Sequence, residues 1–245
     1  MKIWAIGDLH LSSGVPNKEM DLFGPAWKDH AKKIAATWDT EVSKEDLILI
    51  PGDISWALRL VEALPDLAWL EERPGTKVMI KGNHDYWWSS LSKVKKVLPP
   101  SIHLIQNSSI TIGEVAIAGA RLWDSPEYCF DHIIDFKPGI TQKEPSKRDD
   151  DAIFQRELIR LETSLKALSK KAKIRIAMTH FPPIGTDLAP SSTSALFEKY
   201  GVSLVVFGHL HSLKTDIPHL FGVKRGVRYE LVSCDWLGFT PLCLC

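Results

Sequence analysis

The chain alternates between short, almost wholly apolar runs and longer stretches in which apolar residues recur at helical spacing. Residues 2–6, 46–50, 76–80, 173–178 and 203–207 are too short and too apolar for surface helices, and are predicted to be strands buried on both faces. Between the first two, residues 26–42 carry apolar side chains at helical spacing, Ile34 and Trp38 among them. Residues 57–72 do the same, with Pro65 suited to the first turn of a second short helix. The longest helix is predicted over Lys147–Lys171. Ala152, Ile153, Leu158, Leu161, Leu165 and Leu168 trace its apolar stripe; Asp149 to Asp151 sit where its dipole is positive, and Lys170 and Lys171 where it is negative. Residues 102–106, 109–113 and 115–119 read as further strands, and 221–232 as a hairpin turning near Arg225-Gly226. These do not alternate with helices, so a second sheet is expected. The pattern is that of a layered α/β protein, read as one domain over residues 1–245. The least regular stretch is Arg121 to Pro145, and a loop that long inside a compact domain is either functional or disordered.

Composition narrows the classes of function. Apolar residues are 44% and charged residues 24% of the 245, ordinary values for a globular protein. Thirty basic residues balance thirty acidic ones, so no global field recruits nucleic acid or an anionic membrane, and any anion site must be local. No run approaches the roughly 20 apolar residues that span a bilayer. The run from Met1 to Ile6 meets Gly7-Asp8 too soon for a signal-peptide core. A soluble, cytoplasmic protein without membrane insertion is the expectation. Cys129, Cys234, Cys243 and Cys245 show no CxxC spacing and read as reduced, mostly structural thiols, with Cys243-Leu244-Cys245 a weak metal or redox candidate.

The chemistry sits where strands stop. The first run ends in "GDLH", with Asp8 and His10; the second in "PGD", with Asp53; the third in "GNHD", with Asn83, His84 and Asp85. Run 173–178 ends in "THFPP", with His180, and run 203–207 in "GHLH", with His209 and His211. Five of the nine histidines fall at such ends, whereas His30, His103, His132 and His219 have no such setting and take a surface or structural reading. In open α/β sheets the carboxyl ends of strands form the binding crevice, so these scattered residues can converge. Imidazole, carboxylate and amide oxygen without thiolate suit Mn, Fe, Zn, Co or Ni. Four histidines would over-supply one ion, so two divalent metal ions are expected. A carboxylate such as Asp53 can bridge metals about 3.5–4 Å apart that hold a hydroxide for in-line attack at phosphorus. Two dications, two aspartates and a hydroxide sum to about +1, a local attraction for phosphate in a neutral chain.

Asp8-x-His10, Gly52-Asp53, Gly82-Asn83-His84-Asp85, His180 and Gly208-His209-x-His211, in that order, resemble the calcineurin-like metallophosphoesterase superfamily. The resemblance implies an α-β-β-α sandwich of two mixed sheets flanked by helices, with a dinuclear centre. It implies that Asp8, His10, Asp53 and His211 hold one metal, and Asp53, Asn83, His180 and His209 the other. It further implies that His84 binds the phosphoryl group and protonates the leaving oxygen, and that Asp85 orients its imidazole.

Departures narrow this reading. Phosphoprotein phosphatases of the superfamily continue the central motif to a phosphate-gripping arginine, where this chain has Ile54-Ser55-Trp56-Ala57. UDP-diacylglucosamine hydrolases often carry arginine in place of the motif histidine, which here is His84. The neutral charge disfavours a nuclease. What remains resembles bacterial phosphodiesterases and phosphatases acting on a small phosphorylated substrate. The alternatives are a nucleotide-sugar pyrophosphatase, a nuclease, or a non-catalytic metal-binding scaffold of the kind a retromer subunit represents.

Substrate choice is expected in the loops. Arg121 and Trp123 open the segment 121–145, which also carries Tyr128, His132 and Lys137. The segment is read as part of the cleft wall, with Arg121 holding substrate, or as a surface loop with a structural Arg-Trp pair. Trp56, Tyr86, Trp87 and Trp88 could stack on a nucleobase, but aromatics that follow a strand more often support a motif loop, so one or two at most are expected to reach substrate.

Overall fold

The computed structural model describes residues 1–16, 18–135, 147–214, 217 and 220–245, with 147–149 described in backbone only. In chain order the described residues form β1 (Ile3–Ala5), α1 (His30–Glu41), β2 (Leu47–Ile50), α2 (Leu60–Glu72), β3 (Thr76–Met79), α3 (Leu91–Lys95), β4 (Ile102–Leu104), β5 (Ser109–Ile112), β6 (Val115–Ala120) and α4 (Lys147–Lys166). There follow β7 (Ile174–Thr179), α5 (Ser192–Lys199), β8 (Leu204–Phe207), β9 (Gly222–Lys224), β10 (Val227–Leu231) and β11 (Leu242–Cys243). Two mixed sheets result. One runs β11-β1-β2-β3-β4, parallel apart from edge strand β11; the other runs β5-β6-β7-β8-β10-β9, parallel at its centre with antiparallel edges β5 and β9.

Side-chain alternation explains why the apolar runs are continuous. In β2, Leu47 and Leu49 face Ile117, Ile176, Met178 and Val206 of the other sheet, while Ile48 and Ile50 face outward toward Ile34 and Trp38 of α1 and Leu67 of α2. A strand covered on both faces has no polar side to display. On the far side, Leu161 and Leu165 of α4 and Phe197 of α5 cover β6, β7 and β8. Helix, sheet, sheet, helix is thus the layer order, as the sequence implied.

Several predicted boundaries move. α1 begins only at His30, after a 3₁₀ turn at Pro25–Trp27. Pro65 lies inside one continuous α2, because Ala63, Asp66, Leu67 and Leu70 on either side of it bury a single face. α4 stops at Lys166, so Lys170 and Lys171 lie beyond it; tight bonds from Ala167 N–H to Ser164 O and from Leu168 N–H to Leu165 O close its last turn and still bury Leu168. The hairpin turns at Arg225 and Gly226, both with positive φ (48° and 79°), the two-residue turn that matches strand twist. The short elements α3, α5 and β11 carry too little periodicity to be read from sequence. The side chain of Asp149, residues 136–145 with Lys137, and His219 lie outside the described residues. None of the described helices is long and apolar enough to cross a membrane.

Candidate metal centre

The strand ends named from sequence meet at one place because the two sheets are stitched there. Gly7 N–H donates to Val232 O at 2.6 Å and Cys234 N–H to Gly7 O at 3.1 Å, joining the exit of β1 to the exit of β10. Asp8, His10, Asp53 and His209 all take positive φ (55°, 44°, 53° and 72°). Such backbone is uncommon outside glycine and costs on the order of 1 kcal/mol per residue, so neighbouring contacts must hold it. They do: Asp8 N–H donates to Gly52 O at 3.0 Å and His10 N–H to Asp53 O at 3.0 Å, so the two loops brace each other. The glycines preceding the motif histidines have a steric purpose. A Cβ on Gly82 would lie 2.0 Å from Asp53 Oδ1, and one on Gly208 2.0 Å from Asp8 Oδ2. The bare backbone lets each carboxylate accept from the next residues: Asp53 Oδ1 from His84 N–H at 2.8 Å, and Asp8 from His209 N–H at 3.0 and 3.1 Å.

The donor atoms fall into two groups around Asp53. Its Oδ2 lies 3.7 Å from His10 Nε2 and 3.5 Å from His180 Nε2. On one side, His211 Nε2 is 3.3 Å from His10 Nε2 and 3.5 Å from Asp8 Oδ1. On the other, Asn83 Oδ1 is 2.5 Å from His180 Nε2 and 3.2 Å from His209 Nδ1. Backbone and side-chain partners fix two tautomers: His180 Nδ1–H donates to Pro51 O at 3.0 Å and His211 Nδ1–H to Asp235 Oδ1 at 2.8 Å. His180 Nε2 then offers a lone pair toward the oxygens of Asn83 and Asp53, an arrangement that a cation satisfies and a proton network does not. Ligand atoms of Asp8, His10 and His211 lie within 4.8 Å of one another, as do those of Asp8, Asp53 and His180.

Electrostatics point the same way. Burial and neighbouring imidazoles push the pKa values of His10 and His209 well down; burial likewise takes His180 to about 3. All three are neutral imidazoles, the metal-binding form. His211 is opposite: burial opposes its protonation, but the Asp235 and Asp8 carboxylates outweigh it and push it up to about 10. Asp53 is raised well above the carboxylate range by burial, then by Asp85 and Asp8. Three buried carboxylates this close call for added positive charge, and the residues present fit divalent cations.

The sequence model of the calcineurin-like phosphoesterases matches residues 1–213. The chain belongs to that family. The Gene 66 protein of Mycobacterium phage D29 is 41% identical over 83 residues, 34% of this chain and 40% of the phage protein. Its counterpart in Mycobacterium phage L5 is 34% identical over 82 residues, 34% of this chain and 39% of that protein, so the matched stretch spans about two fifths of each. Among solved structures, the phosphopantetheinyl hydrolase of Mycobacterium tuberculosis superposes with a TM-score of 0.51 over 95% of this chain and 88% of that one, at 18% identity, a likeness of fold alone.

Within this phosphoesterase, the loop "GNHD" divides its tasks differently from the expectation. Asp85 is fully buried, and its carboxylate accepts from Gly82 N–H (2.8 Å), Ile54 N–H (2.9 Å), Ser55 N–H (3.1 Å) and Trp87 Nε1–H (2.9 Å). Burial raises its pKa and these four donors oppose the rise. None of the four belongs to the His84 imidazole. Asp85 therefore clamps the motif loop to the loop after β2 rather than holding the ring, because the ring projects toward the crevice while the carboxylate points into the core.

Asp235 was missed by sequence reasoning. It holds His211 Nδ1 and accepts from Ser212 N–H at 3.1 Å, four residues beyond the end of β10. The same strand-end rule applied to the hairpin's second strand would have found it. Arg121 stands beside the centre through its backbone, its carbonyl accepting from His180 N–H at 3.1 Å, while its guanidinium lies 4.8 Å from the Trp123 ring and 3.4 Å from the buried Glu157. The described part of the loop after β6 pairs with the loop after His211, through Asp135 N–H to Ser212 O and Lys214 N–H to Ile133 O. Trp123, Tyr128, Phe130 and Ile134 line a cavity of about 780 Å³ whose wall includes His209. Trp87 and Trp88 are core residues at 1% exposure, whereas Tyr86 is 59% exposed. His30 is structural, its Nε2 bonded to Leu9 O at 2.9 Å, and Cys234 donates its thiol to Asp8 O.

Proposed function

We propose that the chain is a metal-dependent phosphoric-ester hydrolase with a dinuclear centre, acting on a small phosphodiester or phosphomonoester. The observation that carries this reading is the position of Asp53 Oδ2 between His10 Nε2 and His180 Nε2, at 3.7 and 3.5 Å, with a separate ligand set on either side. Asp8, His10, Asp53 and His211 would hold one cation; Asp53, Asn83, His180 and His209 the other. Divalent cations of the Mn, Fe, Zn, Co or Ni class supply Lewis acidity there, bringing water toward a neutral pKa and neutralising phosphoryl oxygens.

The chain's own residues do the rest. His84, half-buried at the mouth, contacts the phosphoryl group and gives its proton to the leaving oxygen. Burial lowers its pKa, so the protonated form that the step needs is drawn in by the negative charge of the phosphoryl group beside it. Arg121 holds a non-bridging oxygen or the substrate's second arm from the flank, and the loop after β6 supplies the cleft wall. A screen of metal-reconstituted protein across phosphomonoesters, cyclic and linear diesters, and nucleotide pyrophosphates tests the reading. Hydrolysis of one class well above the others is expected. No turnover with any metal and any ester would leave a non-catalytic scaffold instead.

A further inference from the structure

The His84 ring is held by packing. Trp56 lies across it with ring centroids 4.5 Å apart, and the same indole stacks on His10 at 4.8 Å. The indole N–H is tied to Met20 Sδ at 2.9 Å, which fixes the ring plane. Phe23 lies parallel to Trp56, 7° apart in plane with centroids separated by 6.4 Å, and Tyr86 stands edge-on to His84 at 6.4 Å. Phe23 is 53% exposed and Tyr86 59%, so large rings border His84 and face solvent. Large apolar side chains gathered and exposed at the edge of a polar site mark a surface that covers something.

We infer that Phe23, Trp56 and Tyr86 form the seat of the leaving alcohol, and that this alcohol carries an aromatic or extended apolar group. The inference rests on the hydrolase reading above. In that reaction a water oxygen bonds to phosphorus and the bond from phosphorus to the alcohol oxygen breaks. The electron pair stays with that oxygen, which takes its proton from His84. A general acid must lie within hydrogen-bond reach of the oxygen it protonates, so the leaving group passes beside the His84 ring. Trp56 and Tyr86 stand beside that ring and Phe23 lies beyond Trp56, with the Lys18 ammonium 5.7 Å from the Trp56 ring at the same edge. Flat rings on a departing group gain apolar contact there and offset or edge-on ring geometry.

The test uses metal-loaded protein and phosphoesters of ethanol, n-hexanol and 2-phenylethanol, whose alkoxides differ little in basicity. A kcat/KM about tenfold or more higher for the 2-phenylethyl than the ethyl ester is expected, the scale of an apolar pocket's discrimination. Phe23→Ala and Tyr86→Ala, at exposed positions, should each reduce that ratio while leaving the circular dichroism spectrum in place. Tighter competitive inhibition by 2-phenylethylphosphonate than by ethylphosphonate, weakened by the same substitutions, reads the seat without turnover. Equal kcat/KM for the three esters in an active enzyme, or an undiminished ratio in both variants, would overturn the inference alone. Absence of hydrolysis with every ester would remove the hydrolase reading and this inference with it.

Discussion

At the scale of single residues, the candidate ligands were legible and the contacts that support them were not. Asp8, His10, Asp53, Asn83, His180, His209 and His211 declare themselves because each has a metal-binding side chain and follows an apolar strand. The pairing of Asp235 with His211 and of Asp85 with Ile54 and Ser55 spans 24 to 31 positions, so a strand-end rule can nominate these carboxylates but not their partners. Two predictions belong here. His84→Ala should keep its metal and lose about 10²–10⁴ in kcat, or roughly 3–5 kcal/mol of transition-state stabilisation. Elemental analysis alongside kinetics checks this, and loss of metal in that variant would place His84 among the ligands. Asp235→Ala frees the His211 ring and should weaken metal binding about 10–100-fold, measured by titration calorimetry. Unchanged affinity would mean that packing alone aims the ring.

At the scale of elements, each motif is a strand exit whose backbone is bent into a rare conformation and braced by its neighbour. Gly208 shows how tight this is: Gly208→Ala would drive a methyl to 2.0 Å from Asp8 Oδ2. Overpacking of that kind costs about 1–3 kcal/mol, so the variant should melt earlier and bind less metal; a variant that matches the parent in both would contradict the bracing. The strands themselves were readable because burial on both faces makes them uniformly apolar. Helix ends were less so, since Pro65 inside α2 and the closing turn of α4 answer to buried faces and bonds formed only after packing. The loop after β6 belongs to this scale too. Arg121→Ala should raise KM or lower kcat with metal content intact. Unchanged kinetics on the preferred substrate would reduce Arg121 to the partner of Glu157 and Trp123.

At the scale of the molecule, the formal net charge is zero and the charge that matters is local. The two sheets pack through one apolar seam, and their carboxyl ends bring three buried carboxylates and four imidazoles into a single cluster. The two-sheet layering followed from runs of strand without intervening helix. The return of β11 to pair with β1 did not, because a two-residue strand carries no period. The central claim is that this cluster is a two-metal hydrolytic centre bridged by Asp53. The measurement that tests it most directly is a manganese titration of the metal-stripped protein, following hydrolysis of bis-p-nitrophenyl phosphate at each addition. The account predicts a rate that climbs and levels near about two equivalents, and its loss in Asp53→Ala. A rate that levels at one equivalent, or activity that survives removal of the Asp53 carboxylate, would contradict it.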